Sequence, residues 1–253
     1  MGGRAELEYL RRALARQGIE IPPARLQCLA GYAGKLLEAN RRVNLTGAAN
    51  WEELVDRQLV DCVVGLGLIS WDGVELAVDV GSGGGLPGLV LAVLHPAVRV
   101  RLVESRVRRA RFLQRCAAEL GLANVEVAVG RAEELAHRGE WREAADRVTA
   151  RGLAPLAVLL ELSLPFLAPG GRLLAWKGPA VVRELEEAAV ALRVLGGRVA
   201  GRYGYRLADG RERWLLVVEK NSATPPRYPR RPGVPEKKPL GWSRRLEEVD
   251  GAC

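Results

Sequence analysis

The chain has 253 residues, 48% of them apolar, which suffices for one α/β domain with an accessory segment. Lys and Arg number 38 against 30 Asp and Glu, a net charge of +8, which suits a polyanionic partner attracted over long range; the excess of arginine over lysine is also a mark of nucleotide bias in a genome. No apolar run approaches the ~20 residues that cross a bilayer, and Cys28, Cys62, Cys116 and Cys253 lack CxxC spacing, so the expectation is a reduced, cytoplasmic protein with no membrane contact and no metal.

Met1 to Glu6 opens on a charged helix rather than a signal peptide. Helices are predicted over about 4–17 and 22–39, with a break at Ile21-Pro22-Pro23; in the second, Leu26, Leu29, Ala33, Leu36 and Leu37 share one apolar face. Trp51 to Leu68 continues as helix, so residues 1–70 read as a helical cap. Strand and helix then alternate. Strands are predicted at Val74 to Val80, Val98 to Val103, Val125 to Val129, Arg147 to Ala150 and Arg172 to Trp176. Helices are predicted from about Leu86, then at Val107 to Leu120, Leu153 to Leu167 and Val181 to Leu195. Gly201 to Leu207 and Arg213 to Glu219 are β-rich and separated only by Ala208-Asp209-Gly210-Arg211-Glu212, a hairpin signal. Residues 71–220 therefore read as a mostly parallel sheet, covered by helices on both faces and closed by an antiparallel hairpin. From Asn221 onward six prolines alternate with Arg227, Arg230, Arg231, Lys237 and Lys238; residues 221–253 are predicted as an extended basic tail, ordered on nucleic acid or disordered.

The most informative stretch is Asp79-Val80-Gly81-Ser82-Gly83-Gly84-Gly85-Leu86-Pro87-Gly88, between a buried strand and a helix. Gly81, Gly83 and Gly85 permit positive φ and close approach of a ligand, and a helix start offers free N–H groups. The loop fits two templates. Gly83-x-Gly85-x-x-Gly88 satisfies a dinucleotide fingerprint, and Asp79-x-Gly81-x-Gly83-x-Gly85 satisfies the loop of class I S-adenosylmethionine (SAM) methyltransferases. Glu104, 19 residues beyond Gly85 at the end of the next strand, can accept from two ribose hydroxyls, which NAD and SAM both carry. A terminal antiparallel hairpin on a parallel sheet is the Rossmann-like architecture of the methyltransferases rather than of the NAD enzymes, so the fold expected is class I methyltransferase.

His95 and His137 are the only histidines and are distant in sequence, so neither a metal site nor a hydrolase triad is expected. Methyl transfer to an acceptor that already carries a lone pair needs alignment more than acid–base help, and guanine N7 is such an acceptor. Two cations follow core strands at the edge where open sheets bind ligands: Arg151 after Arg147 to Ala150, and Lys177 after Leu173 to Trp176. Arg106, Arg108, Arg109, Arg111 and Arg115 crowd one helix just past Glu104, as a basic interface or as a solvated face. Glu133 falls where an adenine would lie, with the backbone of Ala132 and Glu133 at the base's edge.

The chain resembles the bacterial ribosomal RNA small subunit methyltransferase G family, also called the glucose-inhibited division protein B family. The matching residues are Asn40-x-x-x-Asn44-Leu45-Thr46, Arg57-Gln58-Leu59-Val60-Asp61, the glycine loop with its Gly85-Leu86-Pro87-Gly88 ending, Glu104-Ser105, Arg111-Phe112-Leu113 and Lys177-Gly178. The basic tail, Pro226 to Gly233, matches that of some members. This resemblance implies SAM-dependent methylation of a guanine N7 in 16S rRNA or the small ribosomal subunit, with SAM contacts at Gly81, Leu86, Ala132, Glu133 and Arg151. Asp79 is expected to hold the loop or the SAM amino group, Glu104 the ribose, and Arg151 and Lys177 the RNA. Gln58 stands where the family usually has histidine, and Thr149-Ala150-Arg151-Gly152 where it usually has Ser-Arg-Ala. A small-molecule methyltransferase and a non-catalytic RNA-binding module are the alternatives; a monomer is expected.

Overall fold

The computed structural model describes residues 3–241. Seven strands form one sheet: β1 (Leu76–Val80), β2 (Arg99–Glu104), β3 (Val125–Val129), β4 (Ala145–Arg151), β5 (Leu167–Lys177), β6 (Gly197–Arg206) and β7 (Glu212–Lys220). Their order is β3-β2-β1-β4-β5-β7-β6; β1 to β5 are parallel, and β7 runs antiparallel between β5 and β6. The order reverses at β1, so β1 and β4 splay their connections to opposite sides and leave a crevice at their carboxyl ends.

Apolar side chains cover both faces of the sheet, in two separate cores. In β7, Leu215 and Val217 join one core while Leu216 and Val218 join the other, the period of two that a doubly covered strand requires. The first core is shared with α1 (Arg4–Ala15), α2 (Pro23–Asn40), α3 (Trp51–Leu54), α4 (Val60–Gly67), α5 (Gly88–Leu94) and α6 (Val107–Glu119). The second takes α7 (Ala132–Leu135), α8 (Leu156–Ser163), α9 (Val181–Glu187) and α10 (Ala189–Leu195). The N-terminal helices therefore pack into the same core as the sheet. Gly65 of α4 lets the two approach closely: a Cβ there would meet the Trp176 indole at 2.5 Å.

Several expected elements are cut differently. The helix expected at Trp51 to Leu68 contains a π turn, Val55–Leu59, between α3 and α4. The one expected at Leu153 to Leu167 is confined to α8 by Pro155 at its start and by a 3₁₀ turn around Pro165 at its end. The helix at Val181 to Leu195 breaks at Ala188, and α5 starts at Gly88, two residues later than expected.

The largest difference concerns the basic tail. Residues 221–241 are neither free nor extended into solvent; they fold back over the second core, with Tyr228 and Thr224 buried, and form a short helix, α11 (Val234–Lys237). Proline-rich chain has little apolar area to repay ordering, so polar anchors do it. Arg142 donates to the carbonyls of Thr224, Pro225 and Tyr228 at 2.7, 3.3 and 2.9 Å, and Arg230 makes a fork with the fully buried Glu161 at 2.6 and 2.8 Å. Residues 242–253, the rest of the expected tail, lie outside the described residues.

Candidate functional site

A cleft of about 280 Å³ opens at the carboxyl ends of β1, β2 and β3. Gly81, Glu104, Arg106, Arg131, Ala132 and Glu133 line it, together with Gly152 and Leu153 beyond β4. A larger void of about 770 Å³ lies between α1 and α2, lined by Leu7, Leu14, Ile19 and Leu26. Arg4, Glu8, Arg11 and Glu20 stand around it, and it contains none of the strand-end residues.

Glu104 organises the cleft. Only 4% exposed, it ends β2, and its carboxylate accepts from the Gly83 amide at 2.9 Å and the Arg106 amide at 2.7 Å. One acid thus ties the glycine loop to the start of α6. Each oxygen keeps a further lone pair, so the carboxylate still has acceptor capacity for a ligand.

The three alternating glycines have separate jobs. Gly81 (φ +73°) faces the cleft, where a Cβ would meet the Leu153 side chain at 2.5 Å. Gly83 (φ +54°) presents its amide to Glu104, and a Cβ on Gly85 (φ +97°) would run into Leu89 at 2.6 Å in the core. Leu86, expected on the cofactor, is buried in the first core, away from the cleft lining. From behind, Tyr32 of α2 donates to the Gly84 carbonyl at 2.8 Å, and Arg109 donates to the Asn44 carbonyl at 2.8 Å. Helical cap, glycine loop and α6 are therefore stitched together.

Asp79 lies beneath the loop rather than in the cleft, at 1% exposure. Its Oδ1 accepts from Thr149 Oγ1 at 2.7 Å, while Oδ2 makes no hydrogen bond and feels the nearby Gly88 amide only through space. Burial pushes its pKa up to about 6, against the lowering influence of Thr149, Ser82 and Gly88. Its carboxylate is bonded to β4 through Thr149 and does not line the cleft.

Arg151 and Lys177, expected to face a substrate, are both spent inside the protein. Arg151 Nε pairs with Asp61 Oδ2 at 2.8 Å, and its Nη2 donates to the Arg57 carbonyl at 3.2 Å. Burial disfavours the Arg151 charge, but neighbouring Cys62 and Asp61 outweigh it and hold the pKa up. Lys177 Nζ is 2.6 Å from Glu184 and donates to the Ala154 carbonyl at 3.0 Å, which pins α9 to the loop before α8. Neither lines the cleft. A cation at a strand end does not by itself show that an acid from another segment, as Asp61 does for Arg151, already holds it.

That acid, Asp61, was not singled out for a role from the sequence. At 1% exposure it also accepts from Tyr205 at 2.7 Å, lies 3.8 Å from Arg213, and its carbonyl takes the Trp176 indole N–H at 3.0 Å. Five segments meet there: α4, β4, β5, β6 and β7. Burial first, then the Asp61 charge, raises the Tyr205 phenol well above its ordinary range. Gln58, in the π turn, accepts from Thr46 Oγ1 at 2.8 Å, and Asn40 Oδ1 accepts from the amides of Leu45 and Thr46; the two segments carrying the resemblance are thus one bonded unit. His95 stacks on Trp71 at 5.0 Å, and His137 bonds the Pro229 carbonyl at 2.8 Å, both structural. Among the described residues no group of acids, histidines and cysteines is placed to hold a metal ion, and no helix is long and apolar enough to cross a membrane.

The surface beside the cleft is basic. Arg42, Arg106, Arg108, Arg111 and Arg115 are exposed, and among the described residues none is in an ion pair. Arg42, Arg108 and Arg115 line a groove of about 260 Å³ between the end of α2 and α6.

Comparison with known proteins agrees with this geometry. The family model "rRNA small subunit methyltransferase G" matches residues 25–201. The chain is 38% identical over 224 residues to the ribosomal RNA small subunit methyltransferase G of Moorella thermoacetica, covering 88% of this chain and 93% of that one. It is 40% identical over 236 residues to the protein of the same name from Deinococcus radiodurans, covering 93% of each. Among solved structures, a Klebsiella pneumoniae protein described as an O-methyltransferase superposes with a TM-score of 0.56 at 14% identity, over 87% of this chain and all of that one. An Agrobacterium tumefaciens protein so described gives a TM-score of 0.50 at 21% identity, over 65% and 82%. These likenesses establish the class I methyltransferase fold, and with the family match and the close relatives the chain belongs to the ribosomal RNA small subunit methyltransferase G family.

Proposed function

We propose that the protein transfers a methyl group from SAM to N7 of a guanine in a 16S rRNA loop of the small ribosomal subunit, acting in the cytoplasm. The observation that carries this reading is the strand-end cleft with Glu104 as its polar centre, within a chain of this family. The residues present fit SAM. Glu104 has lone pairs left for two ribose hydroxyls, the backbone at Ala132 and Glu133 offers an edge for adenine, and Gly81 leaves room where a side chain would intrude. Asp79, Gly83, Gly85 and Leu86 shape the loop from beneath.

SAM supplies an electrophilic methyl on a sulfonium. N7 of guanine carries a lone pair and no proton, so this chain's residues need only align the base and exclude water, with no general base at the acceptor. Arg151, locked by Asp61, and Lys177, locked by Glu184, act as positioning residues that fix the wall beyond β4. The exposed arginines of α6 and Arg42, which pair with no acid among the described residues, take the RNA phosphates, a role for which paired charges elsewhere on the surface are unsuited.

The test is incubation with methyl-labelled SAM and small-subunit particles lacking the modification, followed by nucleoside mass spectrometry. Label in 7-methylguanosine at one position is the expected result. SAM bound but no label transferred to RNA would refute the rRNA assignment and turn attention to small-molecule acceptors.

A further inference from the structure

The C-terminal segment does more than lie on the second core. Beyond the Arg230–Glu161 fork, the Gly233 amide donates to Glu133 Oε1 at 3.1 Å, and Arg131 Nη2 bonds the same oxygen at 3.0 Å. The Glu133 carboxylate is thereby tied to the segment, and Glu133 also lines the cleft. The chain then forms α11, with Pro235 buried, and Glu236 lines the cleft beside Arg131 and Ala132.

The acceptors of the cleft are not equivalent. Both Glu104 oxygens already serve amides, and the bonded Glu133 oxygen serves Arg131 and Gly233. Among the described residues the Glu236 carboxylate has no hydrogen bond and no ion pair within 4 Å, although it feels the field of Arg131. A carboxylate that no described residue occupies, held at the mouth of a cleft by a segment anchored 69 residues away in sequence, is placed for a ligand that brings N–H or O–H donors. The adenosyl group of SAM carries three such groups, one amino and two hydroxyls.

We propose that residues 230–237 form a wall of the cofactor cleft, with Glu236 accepting from the adenosine moiety of the cofactor and the Gly233–Glu133 bond setting its position. This rests on the SAM reading above. Glu133 is then a positioning residue through its side chain, and the C-terminal segment is part of the binding site.

Titration calorimetry with SAM and with free adenosine on the full chain tests it. For Glu236→Ala, an exposed position where folding is not at risk, both affinities fall about tenfold, as for one charge-assisted hydrogen bond lost. In the wild type, SAM slows hydrogen exchange of the amides around Gly233 to Lys237. A loss for SAM but none for adenosine would overturn the proposal, because the carboxylate would be acting on the methionyl end. Unchanged affinities for both ligands, or unchanged exchange in the segment, would overturn it too. A wild type that binds neither ligand would bring down the SAM reading itself, and this inference with it.

Discussion

Two sets of arginines divide this molecule. Arg142, Arg151 and Arg230 are drawn into the body, where they saturate carbonyls or buried acids and join segments far apart in sequence. Arg42, Arg106, Arg108, Arg111 and Arg115 stand on the surface beside the cleft with no acid within ion-pairing distance among the described residues. On the β6–β7 hairpin, by contrast, exposed Arg198, Arg206 and Arg211 each pair with a nearby acid. The same side chain is structural glue where a carboxylate is buried opposite it, and a free cation where none is. The position of an arginine along the chain therefore says little about its task.

The sharpest way to break this contrast is to remove the acid under Arg151. Asp61→Ala leaves Arg151 buried without its partner and unseats Tyr205, so unfolding in denaturant shows a loss of about 3–5 kcal/mol. A loss under about 1 kcal/mol would mean that Arg151 is not held as the geometry indicates. Asp61→Asn, which keeps shape and acceptor, is expected between wild type and alanine. Arg151→Ala lowers stability and methylation together, which separates it from a residue that touches substrate alone.

Asp79 offers a second, pH-resolved test. Its folded pKa of about 6 exceeds the ordinary value of 3.8, so the folded state takes up the proton more readily. Its contribution to stability is full below the ordinary value and is lost as pH rises through 6. The shift from 3.8 to about 6 corresponds to about 3 kcal/mol in full, of which about 2 kcal/mol falls between pH 4 and pH 7. Asp79→Asn removes this contribution, and the gap in unfolding free energy between variant and wild type should therefore widen in the variant's favour on going from pH 4 to pH 7. A gap independent of pH would show that the carboxyl titrates normally.

The smallest effects on stability belong to the exposed set. Arg108→Ala and Arg115→Ala leave the unfolding midpoint and SAM affinity unchanged, while the slope of log affinity for rRNA against log salt falls by about one per arginine. A salt slope equal to that of wild type would remove these arginines from the RNA interface. Moving the same substitution to Arg198, which is paired with Glu219, is expected to leave the slope alone.

Local pattern carried much of the fold. Strand positions, the alternation with helices and the Asp209-Gly210 hairpin follow from periods of two and 3.6 and from turn chemistry, and all can be seen without tertiary contacts. The glycine loop and Glu104 were legible too, because positive φ and a strand-end acid are requirements set within about 25 residues of chain. What misled was the reading of single charged residues. Arg151 and Lys177 lie at the predicted strand ends, but their partners, Asp61 and Glu184, sit on separate helices. Glu161 did leave a trace, as a lone acid in the apolar run Leu156 to Leu164, which calls for a buried cation without saying which one.

By itself, then, the sequence determined the alternating architecture, the site of the glycine turn and the acid facing it, since these depend on neighbours along the chain. Only the tertiary structure decided which arginines are consumed and which remain free, that Tyr32 holds the glycine loop, and that the proline-rich segment returns to the cleft through Arg230 and Gly233. The physical reason is that a charge takes its meaning from whatever opposes it at 3 Å under low dielectric. That opposing group arrives from any distance in sequence, as Glu161 does for Arg230 and Glu133 for Gly233.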